Sequence, residues 1–184
     1  MKDLVVYFSR TGNNRFLAER IARDLNADIE PIRPRLNVFF FLLISSLTHV
    51  TFGIRKLKKD VASYECVILV GPIWMGSLIT PFRSFLKKYK MALKSVYFVT
   101  CCGSDEKEKD GKFGYNRVFK KAEKYAGRPC ELCEAFSIKL VVPEDKRDDD
   151  KAIMEARLTN ESFKGPFKQK YDQFLSKLFR ISKG

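Results

Sequence analysis

Apolar residues along this chain follow two alternating patterns. Leu4-Val5-Val6-Tyr7-Phe8, Cys66-Val67-Ile68-Leu69-Val70 and Val96-Tyr97-Phe98-Val99 are unbroken runs of β-branched and aromatic character. Such short continuous runs predict strands covered on both faces, as in a parallel sheet. Between them the apolar positions recur at helical spacing: Leu17, Ala18, Ile21, Ala22 and Leu25, then Phe82, Phe85, Leu86, Tyr89 and Leu93, then Val118, Phe119, Ala122 and Tyr125. A further helix is predicted from Phe167, Tyr171, Phe174, Leu175 and Leu178. Thr80-Pro81 reads as an N-cap followed by proline at the first helical position, and Gly127 as a helix terminator. A short strand over Ile29 to Ile32, interrupted by Pro31 and flanked by Pro34, belongs at a sheet edge, where a missing donor matters less. A last strand is expected from Cys133 to Val142, followed by a charged loop from Glu144 to Lys151.

Strands alternating with amphipathic helices imply right-handed crossovers. The expected architecture is a doubly wound, five-stranded parallel α/β sheet with helices on both faces, forming a single domain over residues 1–184. In such sheets ligands bind beyond the carboxyl ends of the strands, where the winding reverses. Three polar loops converge on that edge.

Residues 34–58 interrupt this rhythm as an apolar helical insertion after the second strand. Leu36 to Ile54 contains no Asp, Glu, Lys or Arg, yet Arg33, Arg35, Arg55 and Lys56 flank it. A membrane span needs ~20 mostly apolar residues. The segment is of borderline length and carries Asn37, Ser45, Ser46, Thr48, His49 and Thr51, so three readings stand: a buried or lid-like helix, a contact with a membrane surface or second subunit, and a span.

Composition narrows the field. The 184 residues suffice for one core, and 16 phenylalanines supply bulky material for it, which excludes a disordered chain. Lys plus Arg total 35 against 22 acidic residues, a net charge of +13, which favours anionic ligands, acidic proteins or anionic membrane surfaces. The cations are scattered along solvated helix faces, so no specific nucleic-acid site is expected. Five cysteines is an odd number, and the first apolar run is too short for a secretory signal. A reduced, cytoplasmic setting is therefore expected. Cys130 and Cys133 form C-x-x-C, but that pair follows a helix and enters a strand, so it reads as packing rather than as a thiol redox motif, and no metal site is expected. His49, the sole histidine, reads as structural.

The loop Ser9-Arg10-Thr11-Gly12-Asn13-Asn14 joins the first strand to the first helix. It offers hydroxyls, a glycine for close approach and the unpaired N–H groups of a helix start, a combination suited to phosphate. It lacks the glycine patterns of dinucleotide and Walker sites and the acidic residues of a receiver domain. A polar turn with Asn capping the helix is the plainer reading. After the third strand, Gly71-Pro72-Ile73-Trp74-Met75-Gly76-Ser77 places the only tryptophan beside a loop glycine, a flat surface for an aromatic ligand.

The first loop resembles the phosphate-binding loop of the flavodoxins, [ST]-x-T-G-x-T, with Asn14 in place of the final Thr. The second resembles their other FMN loop. The resemblance implies that Ser9, Thr11, Gly12, Asn13 and Asn14 hold the FMN phosphate, with Arg10 at a variable position. It implies that Pro72, Ile73, Trp74, Met75 and Gly76 border the isoalloxazine, with Trp74 covering one face and the Met75-Gly76 peptide near N5. It also implies that the loop containing Cys101, Cys102 and Gly103 grips the pyrimidine edge. No aromatic follows in this third loop until Phe113 and Tyr115, so the second ring face is open or covered by one of these or by the insertion. By the same resemblance the function is that of an FMN-binding redox protein carrying electrons between partner proteins, without a catalytic acid or base. An NAD(P)H-dependent reductase of quinones or other small acceptors is the alternative, and a fold that has lost its cofactor is a third. Flavodoxins are typically acidic, so the +13 charge changes the expected redox partner to an acidic protein, with peripheral contact to an anionic membrane as a further expectation.

Overall fold

The computed structural model describes residues 2–48, 50–108 and 114–183. His49 and Phe113 lie outside the described residues. The elements run β1 (Asp3–Tyr7), α1 (Asn13–Leu25), β2 (Asp28–Pro31), α2 (Phe39–Thr48), β3 (Cys66–Val70), β4 (Ile73–Trp74), β5 (Ser77–Leu78), α3 (Thr80–Tyr89), β6 (Ser95–Cys102), α4 (Tyr115–Ala126), β7 (Leu132–Ser137), α5 (Asp150–Glu155) and α6 (Gly165–Lys183). Five strands form one parallel sheet in the order β2-β1-β3-β6-β7. The proline-bearing strand β2 lies at the edge, as expected.

Side chains alternate across the sheet and feed two cores. Leu4, Val6, Val67, Leu69 and Phe98 face α3 and α4, where Phe82, Phe98 and Phe119 meet at ring-centroid distances of 5.4 and 5.7 Å. Val5, Ile68, Val70 and Val99 face α1 and α6, where Phe136 meets Phe167 and Phe174 at 5.3 and 5.6 Å. Each fully buried phenylalanine here is worth ~3–5 kcal/mol on truncation to Ala.

Several boundaries depart from the expectation. The segment after β3 is a two-residue hairpin, β4 and β5, turning at Met75-Gly76 with φ of 47° and 65°, as a type I′ turn requires. β7 ends at Ser137, well before Val142, because the Ser137 side chain accepts from the Lys139 N–H at 3.3 Å and starts a 3₁₀ turn over Ile138–Val141. The charged loop runs into α5, which begins at Asp150 and is capped by Asp149, whose carboxylate accepts from the Lys151 and Ala152 N–H groups. Thr80 is not the cap of α3. Ile79 occupies that position, and Thr80 Oγ1 lies 2.7 Å from Ser45 Oγ in the insertion. Leu93 lies beyond the end of α3 at Tyr89, though it is buried as the pattern implied.

The insertion is tied back to the sheet at a narrow neck. Pro34 and Ile54 form an antiparallel bridge, and the Arg35 N–H donates to Gly53 O at 3.2 Å and the Arg55 N–H to Arg33 O at 2.8 Å. The Glu30 carboxylate then accepts from the N–H groups of Lys58 and Lys59 at 2.6 and 2.9 Å. Arg83, 1% exposed, donates from its guanidinium to the carbonyls of Ser45, Ser46 and Val50, holding the C-terminal end of α2. Helix α2 has ten residues, and among the described residues no helix is long and apolar enough to cross a membrane, which sets aside the spanning reading.

Candidate functional site

The loops after β1, β3 and β6 gather at the carboxyl edge of the sheet. Gly12 caps α1 with φ 98°, and a Cβ built on it would meet nothing within 4 Å, so the space above the first turn is open. Ser9 Oγ accepts from the Gly12 N–H at 3.2 Å and sets the curvature of the loop. Thr11 stands exposed at its crest.

The two asparagines that follow face inward. Asn14 Nδ2 donates to Cys101 O at 2.9 Å, and the Cys101 N–H donates to Asn14 Oδ1 at 2.8 Å. Asn13 makes the same two-way bond with another partner: Nδ2 donates to Ala156 O at 3.1 Å, and the Leu158 N–H donates to Oδ1 at 2.9 Å. Their side chains are thus committed to the scaffold, and what they present to a ligand is backbone N–H. Spacing alone did not reveal this, because both acceptor segments lie far along the chain.

The β4–β5 hairpin divides the edge into two clefts. The smaller, about 310 Å³, lies between the hairpin and the end of β6 and is lined by Ile73, Met75, Gly76, Cys102, Gly103 and Tyr115, among others. The larger, about 810 Å³, lies on the β2 side and is lined by Ser9, Arg10, Gly12 and Trp74 together with Arg15, Arg33, Phe39 and Arg55. Trp74 packs edge-on against Phe8 and Phe39 at 6.0 and 5.4 Å, and the Arg10 guanidinium lies 3.3 Å over the Phe39 ring. Of the residues named from the two loop motifs, Ser9, Arg10, Gly12 and Trp74 therefore line the larger cleft and Ile73, Met75 and Gly76 the smaller, while Thr11, Asn13, Asn14 and Pro72 line neither. Pro72 is half-buried at the base of the hairpin, and Gly71 before it is packed so tightly that a Cβ would come within 2.3 Å of the Phe82 ring.

Cys101 and Cys102 end strand β6 rather than starting a loop. Cys101 is buried, and burial pushes its thiol well above the usual range. Burial likewise raises Cys102 to about 11, and its Sγ contacts Ser104 O at 3.2 Å. Neither is a ready nucleophile at neutral pH. Across the smaller cleft the Tyr115 phenol is also raised by burial. Cys133 is held protonated by its hydrogen bond with Cys130 and by burial, and both pack against the core, in keeping with the packing reading of C-x-x-C. Among the described residues no cluster of His, Cys, Asp or Glu is arranged to hold a metal.

Sequence reasoning did not anticipate Arg15, Arg33, Arg55 and Phe39 at the larger cleft. Arg33 and Arg55 flank the insertion in sequence, but only the neck that pairs them shows that they face one cavity.

A parallel sheet in this strand order, with an open helix start and a hairpin-edged cleft beyond its strands, defines a flavodoxin-like α/β protein. A family model described as a flavodoxin domain matches residues 45–145, more than half of the sequence, and the chain belongs to that family. The structure is similar to that of a flavoprotein from Lactobacillus acidophilus NCFM in complex with FMN, at 14% identity and a TM-score of 0.60, over 73% of this chain and 92% of that one. It is similar to a chain from Bacteroides eggerthii DSM 20697 assigned as a flavoprotein, at 20% identity and a TM-score of 0.61, over 83% and 93% of the two chains. An NADPH-quinone reductase from P. pentosaceus shares the fold at 15% identity and a TM-score of 0.50, over 87% of this chain and 99% of that one. No curated protein sequence matches.

Proposed function

We propose that this protein binds FMN and carries electrons between partner proteins. The observation that carries the reading is the exposed hairpin tip: Met75, 64% exposed, borders the smaller cleft opposite Cys102 and Tyr115, so a flat ring lodged there has an edge at the surface, within reach of a docked partner.

The residues fit the cofactor. The first-turn N–H groups of α1 have no intrahelical partner, Gly12 leaves the approach to them open, and Arg10 adds positive charge for a phosphate, while Arg15 is paired with Glu19 at 2.7 Å. Tyr115 offers a ring face, and the Met75-Gly76 tip offers peptide groups at the edge of the cleft. Met75 holds a positive φ, which costs a non-glycine residue of order 1–3 kcal/mol, so a rotation of the tip that relieves it is assisted by strain already present. Bound FMN supplies the one- and two-electron chemistry. The chain contributes seating, exclusion of water from the inner ring face and hydrogen bonds at the ring edge. The +13 charge fits an acidic redox partner.

A second reading is an NAD(P)H-dependent reductase of small acceptors. The larger cleft favours it, since Arg10, Arg15, Arg33 and Arg55 surround a cavity large enough for an anionic nucleotide or acceptor. Reconstitution with FMN, followed by visible absorption, tests the shared premise: a protein that stays colourless refutes both readings. Rapid anaerobic oxidation of NAD(P)H by the purified flavoprotein alone refutes the carrier, whereas inertness to NAD(P)H combined with reduction by a partner reductase supports it.

A further inference from the structure

Helix α2 is built inside out. The residues it turns into the protein are Leu42, Ser45 and Ser46, while Phe40, Phe41 and Ile44 face outward at 64%, 48% and 40% exposure. Positions 40, 41 and 44 share one helical face. The inner face is secured by polar contacts: Ser45 and Ser46 donate to Leu42 O at 3.0 and 2.6 Å, and the Thr80 N–H donates to Ser46 Oγ at 3.1 Å. Val38, just before the helix, and Val50 and Phe52, just after it, are exposed as well. Folding alone would place these rings inside and the hydroxyls outside, and a contiguous exposed apolar patch rimmed by polar residues marks an interaction surface.

The rim is cationic. From Pro31 to Lys59 the chain contains no Asp or Glu but includes Arg33, Arg35, Arg55, Lys56, Lys58 and Lys59. The neck brings Arg33, Arg35 and Arg55 together at the base of the helix from both of its strands. Arg33, Arg35, Arg55 and Lys56 are exposed, and among the described residues no ion pair engages them.

We propose that α2 and its cationic collar dock the protein on the surface of a bilayer containing anionic lipid. Phe40, Phe41 and Ile44 enter the boundary between headgroups and acyl chains, and the collar engages lipid phosphates. The patch is a convex helix rather than a groove, the shape a bilayer accepts and a folded partner must be carved to fit. Ten residues are too few to span, so the helix lies in the plane of the interface. A second copy of the chain is a poor occupant, because a two-fold contact sets this acid-free, cationic segment against itself. The inner side of α2 contributes Phe39 and Leu42 to one wall of the larger cleft and the collar contributes Arg33 and Arg55, but the docking surface does not depend on the flavin reading.

Co-sedimentation of the full chain with vesicles tests this. The protein pellets with phosphatidylcholine vesicles containing phosphatidylglycerol, stays in solution with phosphatidylcholine alone, and is released by salt. The paired variant Phe40→Ser/Phe41→Ser weakens anionic-vesicle binding about tenfold or more, while circular dichroism and thermal unfolding stay unchanged because both rings are exposed. The paired variant Arg35→Gln/Lys56→Gln loses about fivefold per cation removed. Absence of pelleting with anionic vesicles at low salt overturns the proposal, as does equal binding by the phenylalanine variant. A lipid-free dimer that dissociates on Phe40→Ser/Phe41→Ser, without vesicle binding, assigns the face to self-association instead.

Discussion

Asn14 and Cys101, 87 positions apart in sequence, are joined by two hydrogen bonds that run in opposite directions between one side-chain amide and one backbone residue. This pair locks the start of α1 to the end of β6, and so sets the first loop against the third. Asn14→Ala leaves both buried backbone groups of Cys101 without a partner. It is expected to cost ~2–4 kcal/mol, seen as a fall in Tm and a loss of FMN affinity. Asn14→Thr, which restores the usual loop hydroxyl, is too short to make both bonds and recovers about half of that loss at most.

Gly71 admits no side chain, because its position against Phe82 leaves no room for a Cβ. Gly71→Ala is expected to destabilise the fold by ~1–3 kcal/mol through overpacking. Denaturant unfolding checks this in two backgrounds: the penalty shrinks in Phe82→Leu, and an equal penalty there assigns the effect to the backbone rather than to the ring.

The division of the carboxyl edge into two clefts separates the roles of its aromatic residues. With the flavin ring in the smaller cleft, Tyr115→Ala lowers FMN affinity by roughly twofold to tenfold, the value of one stacked face. Trp74→Ala acts chiefly on its contacts with Phe8 and Phe39, and is expected to lower Tm more than affinity. Fluorescence titration with FMN reads both variants, and the reverse order places the ring in the larger cleft.

Alkaline pH should unfold this protein early. Tyr64 is buried, and its hydroxyl donates to Asp28 Oδ2 at 2.7 Å; burial first, and the Asp28 bond second, push the phenol up to about 12. The folded state therefore holds this proton more tightly than the unfolded chain, whose tyrosines titrate near ~10. The resulting stability is intact below about pH 10 and is lost as pH rises toward 12. Burial shifts Tyr97 and Tyr171 in the same direction. Urea midpoints measured across that range fall steeply in the parent protein and less steeply in Tyr64→Phe.

Much of the architecture was legible because the sheet is buried on both faces. Leu4 to Phe8 and Cys66 to Val70 have no other reading at their length, and Pro31 marks an edge strand by chemistry alone. The hairpin at Met75-Gly76 was less visible, since its strands have two residues each and show no period. Helix α5 carried a signal in its cap, Asp149, that the surrounding charges obscured. Among the site residues, the polar loop and the tryptophan stand out in the sequence. The inward turn of Asn13 and Asn14, and the meeting of Arg33 with Arg55, depend on segments that only the folded chain brings together. The insertion misleads in another way: its apolar residues suggest burial, while the structure buries its serines and presents its rings to the outside.

The paired bonds of Asn13 reach residues 156 and 158, beyond the last strand of the sheet. All five strands of the sheet precede those residues in sequence, so a sheet already paired still leaves the amino end of α1 without one of its two anchors. The anion loop is therefore set only when the segment that follows α5 docks against the start of α1.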